Sequence, residues 1–422
     1  MTAPKTAPYG SWKSPITSDL IVAQSIALAD VRLDGDCIYW LEGRPQEQGR
    51  LVIVRTDRRG GEPTDMTPKP FSARTRVHEY GGGAWTVSRG VIYFSNFSDG
   101  RLYRQGEASP PEPLTPEPPA RDRQWRFADG IIDHARRRWI GVREDHTNGG
   151  EPINTIVAVD LDQAEPEPMG TELGRDGAAS FSPPPCGEGS GAGVVRYGTA
   201  VPGGTTPLPN PPPQGGRESA EATSRLNSAP MEPEPGRVLV GGHDFFAAPR
   251  LSPDGHWLVW LAWDHPNMPW NGTTLYLAAL DEAGRVATPQ IIAGGVAESI
   301  FQPEWSPDGR TIFFVSDRSN WWNLYGFDLG ARITEPLAPM AAEFGVPQWN
   351  FGMSTYACVG SDRIVCTYSA AGLGRLAVLE CKAKTLTPIE TPFTEFGSVR
   401  ADGERVAFRA GAPDRPGSIV AL

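Results

Sequence analysis

The sequence predicts an all-β chain, a seven-bladed β-propeller of four-stranded antiparallel blades with the last blade incomplete. Two observations carry this. A strand, an Asp-Gly turn and an apolar second strand occur twice in closely similar form, as "PRLSPDGHWLVWLAWD" from Pro249 and "PEWSPDGRTIFFVSD" from Pro303. Degenerate copies of the same hairpin then recur at even spacing along the chain, which an irregular β-sandwich does not require.

In chain order, "DVRLDGDCIYWLEG" turns at Gly35, "GAWTVSRGVIYFSNF" at Gly90 and "WRFADGIIDHARRRWIGVRED" near Arg137. The two SPDG hairpins follow, turning at Gly255 and Gly309. "YACVGSDRIVCTYSA" turns at Asp362 and "SVRADGERVAFRAGA" at Gly403, which makes seven hairpins. A third strand follows each: "RLVIVRT", "GRLYRQ", "NTIVAVDL", "TTLYLAAL", "WNLYGFDL", "RLAVLEC" and "GSIVAL". Short Thr/Pro-bounded segments such as "EPTDMTP", "EPLTP", "TPQIIAG" and "LTPIETP" read as fourth, outer strands. Alternating apolar residues, aromatic enrichment and Gly/Asp/Asn turns favour strands over helices throughout.

The turn-to-turn steps are 55, 47, 118, 54, 53 and 41 residues, so one interval is too long. It holds residues 166–235, with 14 Pro and 12 Gly in 70 positions and only Phe181 and Tyr197 as aromatics. Such a stretch buries too little apolar surface to offset the entropy of ordering it and is expected to be a disordered insertion. Its arms "SPPPCGEGSG" and "PNPPPQGGRE" resemble translated palindromic repeat elements of bacterial reading frames. A polyproline ligand built on "PLPNPPP" is the alternative. The expected organisation is an appendage at 1–28, blades 1–3 over 29–165, the insertion at 166–235, and the rest of blade 3 with blades 4–7 over 236–422.

A net charge of −11 over 422 residues, without a basic block, argues against nucleic acid as a partner. Five cysteines lack Cys-x-x-Cys spacing, which points to reduced thiols rather than a disulfide framework or zinc site. The start has no signal-type apolar region, and no apolar run approaches the ~20 residues that span a bilayer. A cytoplasmic protein without membrane contact is expected.

A search for catalytic chemistry returns nothing. There is no Gly-x-Ser-x-Gly elbow, no phosphate loop leading into a helix, and no metal-spaced pair among the six histidines. No catalytic residue, metal or cofactor is expected. The unusual sequences instead share a topological position. With strands labelled a to d from the centre outward, the bland SPDG turns are all a–b turns on one face. "RVHEYGGG" (76–83), "REDHTNGGEPIN" (143–154), "WDHPNMPWNG" (263–272), "SDRSNWW" (316–322) and "GVPQWNFG" (345–352) are b–c or d–a connections and converge on the other face. Loops held by a rigid scaffold commonly carry binding.

Here the residues resemble a family. "RVHEYGGGAW", "FADGIIDHARRRWIGVREDH", "EPINTIVAVDL", "GHDFFAAPRLSPDGHWLVWLAWDHPNMPWNGTTLYLA" and "PEWSPDGRTIFFVSDRSNWWNLY" are similar to the amino-terminal propeller of prolyl oligopeptidase-family serine peptidases, nearest the acylaminoacyl-peptidase and dipeptidyl-aminopeptidase-like branch. The resemblance implies a propeller that gates access for short peptides and lines the cleft of an α/β-hydrolase domain. The chain stops at "GAPDRPGSIVAL", so no residue of a Ser-Asp-His triad carries over, and the chain alone is expected to be inactive. The alternatives are a silent scaffold that binds proteins through its rim and the remnant of a disrupted peptidase gene. Glu79, Tyr80, Arg143, Glu144, Trp270 and Arg318 are the candidates for contacts to the partner domain or to a peptide terminus. Arginine and aromatic side chains dominate such contacts, and a carboxylate can hold an amino terminus.

Overall fold

The computed structural model describes residues 6–11, 16–17, 26–57, 60–120, 124–162 and 235–422. Seven antiparallel sheets follow one another along the chain, six of four strands and the last of three. The inner strands are Ala27–Asp34, Trp85–Ser88, Trp125–Asp133, Phe245–Leu251, Ile300–Trp305, Tyr356–Cys358 and Glu395–Asp402. Among the described residues there is no α-helix, only a 3-10 turn at Pro45–Glu47, and no helix long and apolar enough to cross a membrane.

The SPDG repeat has a local cause. Ser252 Oγ accepts the Trp257 amide at 2.9 Å, Asp254 Oδ1 accepts the His256 amide at 3.0 Å, and Gly255 turns the chain at φ +73°. Ser306, Asp308 and Gly309 repeat this, with the Thr311 amide 2.9 Å from Ser306 Oγ and Gly309 at φ +70°. The side chains thus satisfy the amides of the turn, and glycine takes the left-handed position without steric cost.

Each blade presents one apolar face to its neighbour, and a buried cluster fills every gap. Ring closure is of the same kind. Val31, Ile38, Trp40, Val52 and Val54 of blade 1 pack on Ala407 and Ile419 of blade 7. Two ion pairs, Arg405–Asp36 at 3.5 Å and Arg400–Asp30 at 4.0 Å, add to it. No strand pairing joins the two blades among the described residues.

Five inner strands break register at the same level, each at a residue with positive φ: Asp30, Asp129, Ala248, Gln302 and Ser398. A bulge re-aims the side chains beside it. Here it brings Asp30, Arg32, Asp129, Arg250, Glu304 and Arg400 together around the centre of the ring. Arg32 pairs with Asp30 at 3.1 Å, and Arg250 bridges Asp129 and Glu304 at 3.3 Å each. Burial raises the Asp30 carboxyl above its usual range despite Arg32 and Arg400. Burial, reinforced by Arg32, lowers Arg400 to about 9.

Two boundaries differ from expectation or fall outside what is described. The first inner strand begins at Ala27, not at residue 29, because Ala27 and Leu28 pair with Gly43 and Glu42 and the Ala27 methyl fits against the bare Gly43. The 166–235 segment lies outside the described residues except for Pro235. Its flanks are held in blade 3, where Ala158 pairs with Arg237.

Candidate functional site

The d–a connections opening blades 2 and 6 meet over the centre of the ring. His78, Glu79, Gly81, Gly82 and Gly83 all have positive φ, at +52°, +64°, +69°, +83° and +53°. The glycines are required by contact as well as by conformation. A Cβ on Gly81 would stand 2.2 Å from the Thr75 carbonyl oxygen, and one on Gly82 would stand 2.4 Å from that of Phe351. The two connections bond directly, the Phe351 amide donating to the Gly81 carbonyl at 2.9 Å. Blades 2 and 6 are not neighbours in the ring, so this backbone strap crosses the central opening. The Asp129 amide donates to the Gly83 carbonyl at 2.8 Å, and Arg400 Nη2 to that of Gly352 at 2.7 Å, seating the strap on the charged inner strands.

Beside the strap lies a pocket of about 140 Å³, walled by His78, Phe245, Trp263, Trp270, Trp349 and Phe351 with Tyr80 and Met268 at its edge. Three of the five unusual connections therefore converge in it. The His78 ring packs edge-on against Phe245 and Trp263, at 5.0 and 5.5 Å, and tilts on Phe351 at 4.8 Å. Burial lowers its pKa to about 3 against an opposing hydrogen bond with Asn154, so the imidazole is neutral. Trp270 stands 4.4 Å from Trp349, and Tyr80 meets Trp349 edge-on at 5.4 Å. On the blade 4 side, two crossed pairs fix Phe245 and Trp263. His243 Nδ1 lies 2.8 Å from Asp264, His265 Nδ1 lies 2.9 Å from Asp244, and Asp264 also accepts the Asp244 amide at 2.7 Å. Among the described residues no group of three His, Cys, Asp or Glu is placed to hold a metal ion.

The six sequence candidates occupy different places. Tyr80 and Trp270 line the pocket. Glu79 is exposed beside it and paired with Arg76 at 2.6 Å and Arg126 at 3.1 Å, and these arginines outweigh desolvation to lower its pKa. Glu144 is buried beneath the strap, where it accepts the His78 amide at 2.6 Å and Arg126 at 3.0 Å and contacts His146. It holds the loop in place rather than facing the opening. Arg143 is buried inside blade 3 and reaches the carbonyls of Pro235 and Gly236 at 3.5 and 3.4 Å. Arg318 lies outside the pocket, paired with Glu298 at 2.7 Å over the Tyr325 ring. His78, Trp263, Trp349 and Phe351 were not singled out, although each lies in a quoted connection, and neither was Phe245, which opens the inner strand of blade 4. The run of three glycines after "HEY" was the available signal for close backbone approach.

No family model matches the chain, and no curated protein sequence matches it. Solved structures do. A puromycin hydrolase is 30% identical, with a TM-score of 0.77, and the match covers 99% of this chain and 55% of that one. A puromycin-hydrolyzing peptidase of Mycobacterium tuberculosis is also 30% identical, with a TM-score of 0.76 and the same coverage. The propeller belongs to the prolyl oligopeptidase family. Prolyl oligopeptidase B of Galerina marginata, 11% identical with a TM-score of 0.55, shares the fold. So does an oligogalacturonate lyase, 12% identical with a TM-score of 0.53. This prolyl oligopeptidase-family chain spans 55% of the length of its puromycin-hydrolysing relatives.

Proposed function

We propose that the chain is the propeller part of a serine peptidase acting on short peptides, and that it gates and lines the cleft of an α/β-hydrolase domain seated on its b–c and d–a face. One observation carries this reading. Tyr80, Met268, Val296, Trp321, Val346 and Trp349 are exposed large apolar side chains, and all lie in connections of that one face. Among the described residues, no exposed large apolar side chain lies in an a–b or c–d turn. Outer strands also expose Val238, Ile291 and Ile333, but among the turns and connections the exposed large apolar side chains keep to one face, and such a patch mixed with polar residues marks an interaction site. The relatives' additional length supports the choice of partner.

In this reading the strap closes the central opening on the face the hydrolase covers, so peptides reach the cleft from the side. The propeller supplies no nucleophile. Acyl transfer needs an activated nucleophile, its base and an oxyanion site within hydrogen-bond reach of one another, and all three come from the hydrolase. The test is co-expression with the reading frame that follows, then an assay with acyl-peptide and dipeptidyl reporters. Stable association, with hydrolysis only by the pair and weakened by Trp321→Glu or Val346→Glu, is expected. Turnover by the propeller chain alone, with an active-site label on one of its own serines, would overturn the reading.

A further inference from the structure

We propose that Asn148 is a site of spontaneous covalent modification, where the side-chain amide is lost through a succinimide and an aspartyl or isoaspartyl residue is left. This does not rest on the peptidase reading above. The structure separates two positions that look equivalent in the sequence, since Asn-Gly occurs at Asn148–Gly149 and again at Asn271–Gly272.

The chemistry is the same at either position. The main-chain nitrogen of the glycine gives its proton to solvent and attacks the asparagine Cγ. An N–C bond forms, and the side-chain nitrogen takes up a proton and leaves as ammonia. Water, the only co-reactant, then opens the five-membered imide at one of its two carbonyls. Opening at Cγ gives aspartate. Opening at the main-chain carbonyl gives isoaspartate, in which the chain runs through the former side-chain carbons. Glycine is the most permissive following residue, because no Cβ stands beside the attacking nitrogen and its backbone reaches the angles the ring needs.

Attack requires the asparagine side chain to swing onto the next nitrogen, so the rate depends on what holds the two residues. Asn148, Gly149 and Gly150 are exposed in the connection between strands Arg138–Asp145 and Ile153–Asp160. Among the described residues the Asn148 side chain has no hydrogen-bond partner, and a Cβ on Gly149 or Gly150 would meet no atom within 4 Å. Asn271 is held on every count. Its Oδ1 accepts the Met268 amide at 3.1 Å, and its own amide and that of Gly272 donate to the Met268 carbonyl at 2.9 and 3.4 Å. Gly272 is buried, and a Cβ on it would stand 2.5 Å from the Val296 carbonyl oxygen. Reaction at Asn271 must wait for this packed turn to open, and reaction at Asn148 need not. The product adds a negative charge to a connection that already carries Asp145 and Glu151.

The experiment is incubation of the 422-residue chain at neutral and at mildly alkaline pH, folded and in denaturant. Proteolytic peptides are followed by mass spectrometry, and electron-transfer fragmentation distinguishes the two isomers. In the folded chain Asn148 should convert at least about tenfold faster than Asn271, and in denaturant the two rates should agree within about a factor of two. Conversion of Asn148 should be faster at the higher pH, because the attacking nitrogen must lose its proton. Gly149→Ala should slow Asn148 about tenfold by placing a Cβ beside that nitrogen, with Asn271 unchanged. Equal rates at the two positions in the folded chain, a difference that persists in denaturant, or indifference of Asn148 to Gly149→Ala would overturn the inference. The denaturant comparison needs no variant, so it decides the matter even where Gly149→Ala fails to fold.

Discussion

Replacing Gly82 by alanine should open the strap between blades 2 and 6. Two costs add. Gly82 sits at φ +83°, and an L side chain in the left-handed region costs about 1–2 kcal/mol. The new Cβ would also stand 2.4 Å from the Phe351 carbonyl oxygen and 2.8 Å from its nitrogen. Both are backbone atoms, so no rotamer change relieves the contact and the two connections must separate. That strains or breaks the 2.9 Å bond from the Phe351 amide to Gly81, worth another ~1–2 kcal/mol. Gly149 is the control. It has φ +66° and no atom within 4 Å of its built Cβ, so Gly149→Ala carries the conformational cost alone. The assay is hydrogen exchange resolved at the Phe351 amide. A total near 3 kcal/mol corresponds to exchange on the order of 100-fold faster in Gly82→Ala, with Gly149→Ala leaving that amide unchanged. Equal behaviour of the two variants at Phe351 would refute the claim that backbone contact closes the centre.

Acid should destabilise the protein through His78. Its pKa falls from 6.5 unfolded to about 3 folded, so the unfolded chain binds the extra proton between those values, and stability is full above pH 6.5 and lost toward pH 3. Chemical denaturation against pH should show wild type losing on the order of 4 kcal/mol more than His78→Asn over that window, and parallel curves would contradict it. The outer strand of blade 7, Arg415–Ala421, pairs on one side only, so its outward amides should exchange fastest among the third strands of all blades. Uniform protection there would contradict this. Joining Asp162 to Pro235 through a short Gly/Ser linker should leave the thermal midpoint nearly unchanged, because strands Ile153–Asp160 and Arg237–Val240 already pair and loop entropy grows slowly with length. A large drop would show that the removed segment contributes to the fold.

Much of the fold was legible because its signals are local. SPDG turns, period-two strands and the spacing of third strands are set within a few residues, and all seven blades fall where those signals lie. The two-residue error at Ala27 has the same origin. Ala27 and Leu28 are too weakly patterned to show a strand, and only the partner Gly43 reveals why a small residue belongs there. The site was legible in part. Loop length and aromatic content pointed to the face that holds the pocket, and Tyr80 and Trp270 line it. Charge was a poorer guide. Arg143 and Glu144 lie at the end of a strand whose inward direction the sequence did not disclose, and both are consumed by internal bonds. His78 was missed because its role depends on Phe245, Trp263 and Phe351, brought to it from two other blades.

The proposed function requires that one face of this propeller be covered by a hydrolase domain. Hydroxyl-radical footprinting of the propeller, alone and with the co-expressed hydrolase polypeptide, tests it most directly. Tyr80, Trp321 and Trp349 should lose labelling in the pair, while the SPDG turns around His256 and Pro307 label equally in both. Protection of those turns, or no protection of the three aromatics in a pair that does form, would contradict it.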